Sequence, residues 1–308
     1  MEAKVSFFEQ AARNRRYSWI LLFLVAVGLA GMSIVFSMIF AGIYGWDAMF
    51  LFLAFSTVFN IGYILATYYK SGDIAVWSVG ASEADGNRHK QLLNIVEEMS
   101  IASGLPKPRA YVMPSLDINA FAAGRDPAHS IVCVTEGALQ KLSRQELMSV
   151  LAHEMTHIRN FDIRFVTLVA VMVGLVSILS QLFLRSMWYG GGGDRRDRGG
   201  GGLMMALMLV GIILAILAPM IVKLVQLAIS RKREYMADAG AVELTRYPLG
   251  LIAALEKIRD DYGQKRQHTE VNSAVAPMFF ADPVKQRFVE LFQTHPPIED
   301  RIKALESM

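Results

Sequence analysis

Residues 147–160 read LMSVLAHEMTHIRN, and the organisation of the whole chain follows from this stretch. Just before it, Ser143 and Glu146 have the spacing of a capping box, which predicts a helix that begins near Arg144. Apolar residues then recur at helical spacing and mark the side of that helix that we expect to be buried: Leu147, Val150, Leu151 and Ile158.

Two histidines on this helix form a possible metal site. His153 and His157 lie four residues apart, so their imidazoles project from one face of the helix, one turn apart. Two neutral imidazoles at this separation can bind one zinc ion, and the neighbouring Glu154 can reach a water molecule beside that ion. The H-E-x-x-H pattern is typical of zinc metallopeptidases. The alternative is an ordinary helix surface, because so short a pattern also arises by chance.

A zinc site of this kind needs a third protein ligand, and residues 231–241, RKREYMADAGA, contain a candidate. Glu234 and Asp238 are four residues apart and share a helix face. Glu234 would complete a His, His, Glu set whose fourth position stays open, as in catalytic zinc sites. Asp238 would accept a hydrogen bond from a ligating histidine and fix its tautomer. Alternatively, both are surface residues of an exposed helix.

Together, HEMTH at 153–157 and EYMAD at 234–238, with two apolar runs between them, resemble the HtpX-like integral-membrane zinc metallopeptidases of bacteria. NAFAAG at 119–124 and THPPIEDRI at 294–302 extend the resemblance over nearly the whole chain. No ligand position departs from the family pattern. The resemblance implies one zinc ion per chain, and hydrolysis of membrane or misfolded proteins in membrane protein quality control under stress.

The composition indicates a membrane protein. Of the 308 residues, 53% are hydrophobic and 19% charged, and the mean hydropathy is +0.34, which is unusual for a soluble protein. The net charge of +3 is small and the basic residues flank apolar runs, so we expect no nucleic-acid partner. No phosphate-binding G-x-x-x-x-G-K-[ST] sequence occurs, so we expect no nucleotide. The one cysteine, Cys133, excludes an intramolecular disulfide and is expected to pack in the core.

The distribution of apolar residues divides the chain into five segments. Uncharged runs of about 20 residues or more are long enough to cross a bilayer. The segments are a cytoplasmic N-terminal segment (1–17), a transmembrane hairpin (18–70), the first part of a cytoplasmic catalytic domain (71–164), a second hydrophobic hairpin with a Gly/Arg-rich loop at 185–202 (165–228), and the second part of the catalytic domain (229–308).

The positive-inside rule predicts that the catalytic residues face the cytoplasm, and the resemblance implies a multi-pass protein of the bacterial inner membrane. The turn at 44–47 contains no Lys or Arg, whereas basic residues flank the other ends of the hairpin: Arg13, Arg15, Arg16 and Lys70. Because the ligands must meet on one side, the runs at 165–184 and 203–222 either both cross the membrane or both do not. Four arginines in the loop between these runs leave a shallow second hairpin open as an alternative.

The residues after the first hairpin predict a small mixed domain. A helix at 87–103 should end at Gly104, and short strands are expected at 110–113, 119–123 and 130–135. The fold class is therefore mainly α with a small β-sheet, a zincin-like metallopeptidase domain fused to and interrupted by transmembrane helices.

One of these strands is a candidate for substrate binding. An edge strand beside a zinc helix can bind an extended peptide through backbone hydrogen bonds. An ordinary hairpin of the fold is the alternative. The resemblance assigns the binding role to Asn119, Ala120, Phe121, Ala122, Ala123 and Gly124.

The expected reaction is hydrolysis of a peptide bond, with polypeptides and the lipid bilayer as partners. Glu154 is expected to act as the general base and to pass its proton to the leaving amine. His295 lies in a proline-defined stretch and is a candidate oxyanion donor, or else a structural histidine of a loop. Three other functions stay open: a catalytically idle membrane adaptor that binds client peptides, a more specific processing peptidase such as those that trim prenylated peptides, and a metal sensor or transporter.

Overall fold

The computed structural model describes residues 7–169, 231–263, 279–280 and 296–308. Within these residues the chain is mainly helical and contains one four-stranded sheet, which confirms the expected fold class. The second predicted hairpin beyond residue 169, its Gly/Arg-rich loop and His295 lie outside the described residues.

Two long helices form the N-terminal hairpin, α1 (Phe7–Tyr44) and α2 (Trp46–Ser78). Gly45 alone separates them, with a φ of 90° that favours glycine, so the turn is shorter than the four residues expected from the sequence. The Asn60 amide of α2 donates to Ser33 Oγ at 2.8 Å and to the Leu29 carbonyl at 3.3 Å, both on α1. A polar side chain therefore joins the two helices.

The hairpin presents large apolar side chains to its surroundings. Among the described residues, α2 is the helix that is long and apolar enough to cross a membrane. Only 6% of its most apolar 18-residue window is buried, whereas the core helix of a soluble protein would be mostly buried. An exposed apolar surface of this extent suits a lipid environment. It includes Trp19, Phe23, Val27, Phe50, Phe55 and Phe59.

Helix α2 continues to Ser78, beyond the end of its uncharged run, and its last turns anchor the hairpin to the catalytic part of the chain. Arg125 Nη1 donates to the Tyr69 carbonyl at 3.1 Å, and its guanidinium lies 4.9 Å from the centre of the Tyr69 ring. Arg109 Nη2 donates to Asp73 Oδ1 at 2.6 Å. The helix therefore leads from the apolar hairpin directly into contact with the sheet.

The sheet has the strand order β1-β2-β4-β3. This order places β3 at one edge. Strand β4 is parallel to β2 and antiparallel to β3. The three strands expected from the sequence are confirmed to within one residue at each end. Cys133 lies in β4 and is buried as expected, and burial raises the pKa of its thiol. The strands are β1 (Ser82–Glu83), β2 (Arg109–Met113), β3 (Ala120–Gly124) and β4 (Ser130–Thr135).

Within the described residues, further helices build the catalytic part, and α5 (Arg144–Arg159) lies at its centre, packed against β3 and three of the other helices. Its predicted capping box is confirmed, since Ser143 Oγ accepts from the Glu146 N–H and the Glu146 carboxylate accepts from the Ser143 N–H. Its expected apolar side is buried, and Gly104, with a φ of 68°, ends α3 as expected. The helices are α3 (Lys90–Ser103), α4 (Glu136–Lys141), α5 (Arg144–Arg159), α6 (Arg231–Thr245), α7 (Pro248–Gly263) and α8 (Ile298–Glu306).

Candidate metal centre and active site

Helices α5 and α6 pack closely and bring the two sequence motifs together. They meet at Thr156 and Gly240, where a Cβ on the glycine would lie 2.5 Å from Thr156 Cγ2. A side chain at position 240 would push the helices apart, so glycine permits the close approach. The residues that converge at this contact are all buried except His157, which is partly exposed: His153, Glu154, His157, Glu234 and Asp238.

Three of these side chains could hold a metal ion. The Nε2 atoms of His153 and His157 lie 3.1 Å apart, and the Glu234 carboxylate lies 3.7 Å from each of them. All the candidate ligand atoms lie within 4.8 Å of one another. Two ligand atoms bound at about 2.05 Å to a tetrahedral zinc ion would be roughly 3.3 Å apart. The observed distances bracket this value, so the arrangement fits a single small cation.

Carboxylates hold the other nitrogen of each imidazole ring. His153 Nδ1 lies 2.9 Å from Asp238 Oδ1, and His157 Nδ1 lies 3.0 Å from Asp162 Oδ2. A protonated Nδ1 donates to its carboxylate, which leaves the Nε2 lone pair directed towards the centre. Burial opposes the charged form of Asp238, but the charge and hydrogen bonds of Arg301, together with the contact to His153, outweigh burial and hold the pKa of this carboxyl below its usual range. Asp238 is therefore an acceptor at neutral pH.

The two histidines differ in the direction of their pKa shifts because their partners differ. Burial lowers the pKa of His153 to about 4. Burial also opposes the charge on His157, but the hydrogen bond to Asp162 and the charges of Glu234, Asp162 and Glu154 together outweigh it and raise the pKa to about 9. The two rings therefore differ in their affinity for a proton, although their Nε2 atoms lie 3.1 Å apart.

Sequence reasoning missed Asp162, which lies just after α5. The intervening Phe161 has a φ of 57°, which is uncommon for a bulky residue and turns the chain so that Asp162 faces His157. Arg233 lies on the other side, with its Nε 3.6 Å from Asp162 Oδ1. The available signal was a carboxylate five residues after a possible ligand histidine.

Sequence reasoning also missed Arg301 of α8. Its Nε and Nη2 donate to the two carboxylate oxygens of Asp238 at 2.9 and 2.6 Å. Arg301 is 1% exposed and lies 148 positions from His153, so no spacing in the sequence connects it to the site.

Strand β3 lies beside this centre, and its outer edge pairs with a short extended segment. The Phe280 N–H donates to the Ala120 carbonyl at 2.8 Å, and Phe121 pairs with Phe279 in an antiparallel bridge. The Phe280 ring lies 4.8 Å from the ring of His153. The stretch 119–124, expected to bind substrate, is therefore a buried edge that accepts extended backbone next to a candidate ligand.

A His, His, Glu cluster in which an H-E-x-x-H helix supplies both histidines and a second helix supplies the glutamate, beside an edge strand, is typical of metal-dependent peptidases. Residues 87–308 match the peptidase family M48, and the chain belongs to this family. It is therefore a metalloprotease, and the family implies a metal ion at a centre whose donor set fits one. This membership favours a peptidase over the idle adaptor and over the metal sensor or transporter.

Several relatives carry the name protease HtpX homolog, which confirms the resemblance seen in the sequence. The relative from Caldanaerobacter subterraneus subsp. tengcongensis is 45% identical over 99% of both chains, and that from Thermoanaerobacter pseudethanolicus is 42% identical over 99% of both. A crystal structure of S. mikatae Ste24p aligns with a TM-score of 0.46 and 18% identity, over 96% of this chain and 67% of that one. The HtpX relationship and the apolar surface of α2 support a membrane location.

Proposed function

We propose that this protein is a zinc-dependent endopeptidase of the bacterial cytoplasmic membrane. It would cleave membrane or misfolded proteins at the cytoplasmic face, in membrane protein quality control. The observation that carries the proposal is the convergence of His153, His157 and Glu234, whose ligand atoms lie within 4.8 Å of one another. Two imidazoles and one carboxylate are the donor set of a catalytic zinc site with an open fourth position. We assign one zinc ion to each chain.

Glu154 carries the proton transfers in this proposal. A bound zinc ion supplies Lewis-acid polarisation of the scissile carbonyl and lowers the pKa of water towards neutrality. Glu154 is 2% exposed and directly follows His153, so it is held at the centre, where it takes a proton from the attacking water and delivers it to the leaving amine. Asp238 and Asp162 hold the imidazoles in place before substrate arrives. We retain His295 as the candidate oxyanion donor.

We infer that a substrate binds as an extended strand along the outer edge of β3. The pairing of Phe280 with Ala120 supports this, because it demonstrates that the edge accepts antiparallel backbone. Backbone groups of alternate residues point to the same side of a strand, so those of Ala122 point outwards with those of Ala120. A substrate strand takes the position that Phe279 occupies and brings its scissile bond towards His153.

Peptide substrates methylated at single backbone nitrogens test this binding mode. We expect kcat/KM to fall about fivefold where a lost N–H had donated to β3, since one hydrogen bond contributes about 1 kcal/mol. The effect should alternate along the peptide, because every second N–H points to the strand. Peptides methylated one position further along are the matched controls. Losses of equal size at successive positions would contradict strand pairing.

The cytoplasmic placement rests on the charges around the hairpin. The turn at 44–47 has no basic residue, whereas Arg15, Arg16 and Lys70 lie at the opposite end. The last turns of α2 contact the sheet on this basic side. The catalytic residues therefore lie close to the inner membrane surface, where exposed loops of membrane proteins are within reach.

Cysteine labelling in spheroplasts tests the orientation. Cys133 is 1% exposed, so the native chain should give little background. We expect a membrane-impermeant maleimide to label Tyr44→Cys, at the exposed turn, in intact spheroplasts. Ser307→Cys, near the exposed C-terminus, should react only after the membrane is permeabilised. The reverse pattern would overturn the cytoplasmic placement and leave the zinc chemistry unaffected.

A further inference from the structure

Arg301 is among the largest fully buried side chains of the described residues. A buried guanidinium without partners is strongly unfavourable, so its partners indicate its role. Nε and Nη2 both donate to Asp238, in the bidentate geometry that gives the strongest pairing between arginine and a carboxylate. This pairing fixes the position of Asp238.

The same pairing determines which way the His153 ring is protonated. Asp238 Oδ1 accepts from Arg301 Nη2 at 2.6 Å and lies 2.9 Å from His153 Nδ1. Arg301 Nη2 lies further from that Nδ1, at 3.4 Å, and the closer partner, an ionised carboxylate, can only accept a hydrogen bond. The Nδ1 proton of His153 is therefore donated to Asp238, and Nε2 keeps its lone pair for a metal.

Arg301 also contacts the two other parts of the centre. Its Nη1 lies 3.9 Å from Glu234 Oε2, so its charge partly balances that of the candidate third ligand. Nη1 also donates to the Phe280 carbonyl at 3.3 Å, and the guanidinium carbon lies 4.5 Å from the centre of the Phe280 ring. One side chain thus joins the ligand helix α6 to the segment that packs against His153.

We propose that Arg301 is a positioning residue for the metal centre, which holds Asp238 so that His153 presents Nε2 to the ion. Arg301 acts through Asp238 and contributes no ligand atom. The inference rests on the ligand set proposed above. It makes the C-terminal helix α8, which carries Arg301, part of the metal centre.

A double-mutant cycle on the full chain in detergent tests this role. The variants are Arg301→Met, Arg301→Lys, Asp238→Asn and the combination of Arg301→Met with Asp238→Asn. The control is Arg259→Met, because Arg259 is exposed on α7 and pairs with the exposed Glu299 of α8 at 3.3 Å. Zinc affinity is measured by competition with a chelator, together with kcat, KM and the melting temperature of the metal-free protein.

We expect Arg301→Met to weaken zinc binding by about 10- to 100-fold, as is typical when a residue that orients a metal ligand is lost. Arg301→Lys should recover part of this loss, because lysine keeps the charge but lacks the bidentate geometry. Adding Asp238→Asn to Arg301→Met should weaken binding little further, because both substitutions break the same interaction. Arg259→Met should bind zinc like the wild type.

If a folded Arg301→Met chain binds zinc with wild-type affinity, the positioning role of Arg301 is overturned, while the proposed ligand set is unaffected. If Arg301→Met does not fold, the cycle is measured with Arg301→Lys, and losses that simply add to those of Asp238→Asn would overturn it. A wild-type chain that fails to bind zinc would overturn the proposed ligand set and this inference with it. The two proposals can therefore fail separately.

Discussion

The Glu154→Gln variant is expected to lose peptide cleavage while it keeps its metal. Glutamine has the size and shape of glutamate but cannot take a proton from water, so only the proton transfers are removed. General-base catalysis contributes about 10²- to 10⁴-fold to rate, and we expect a loss in this range. Zinc should still bind, because Glu154 lies outside the group of three ligand atoms.

This expectation is checked with the full chain purified in detergent, with added zinc and an unfolded casein substrate. Zinc content is measured on the same samples, so that rates are compared at equal occupancy. Glu243→Gln is the matched control. It is the same substitution at an exposed position of α6, where Glu243 pairs with Arg159. Equal cleavage by Glu154→Gln and the wild type would show that Glu154 is not the base. No cleavage by a fully loaded wild type would contradict the proposed activity.

The parts of the site that could be predicted depend on local signals. The helix of His153 and His157 follows from a capping box and an apolar period that lie within about 20 residues of sequence. Gly104 ends α3 because glycine adopts the left-handed conformation without strain. Such signals act between near neighbours and are present in the sequence before any tertiary contact forms.

The parts that could not be predicted depend on contacts between distant residues. Arg301 reaches His153 across 148 positions, and Phe280 pairs with Ala120 through tertiary packing alone. Asp162 faces His157 because Phe161 is left-handed, a conformation that aromatic residues rarely adopt and that the sequence does not indicate.

The end of α2 illustrates a different limit of sequence reasoning. Lys70 marks where the uncharged run ends, but the helix continues to Ser78. The composition of the sequence changes where the surroundings of the helix change from lipid to protein. The backbone hydrogen bonds of a helix are made within the helix in either environment. A helix can therefore cross this boundary, and here its continuation provides the contacts that anchor the sheet.

The Glu234→Gln variant is expected to have the largest effect on metal binding. The Glu234 carboxylate lies 3.7 Å from both Nε2 atoms, so it is the one charged ligand of the proposed set. An amide removes this charge and turns one of the two ligand atoms into a hydrogen-bond donor. Loss of a residue that hydrogen-bonds to a metal ligand typically lowers metal affinity by roughly 10- to 100-fold, and we expect a larger fall for Glu234→Gln. Asp162→Asn, which changes the hydrogen-bond partner of His157, is the comparison. Affinity is measured by competition with a chelator, and cleavage is assayed in parallel.

The two glutamates can be told apart because both substitutions should stop cleavage but only one should release the metal. Glu154→Gln leaves the two imidazoles and the charged ligand in place, whereas Glu234→Gln leaves a base with no ion beside it. Excess zinc should therefore restore some cleavage to Glu234→Gln and none to Glu154→Gln. Unchanged zinc affinity in Glu234→Gln would remove Glu234 from the ligand set. Zinc loss in Glu154→Gln with retention in Glu234→Gln would exchange the two roles, since both carboxylates are buried at the same centre.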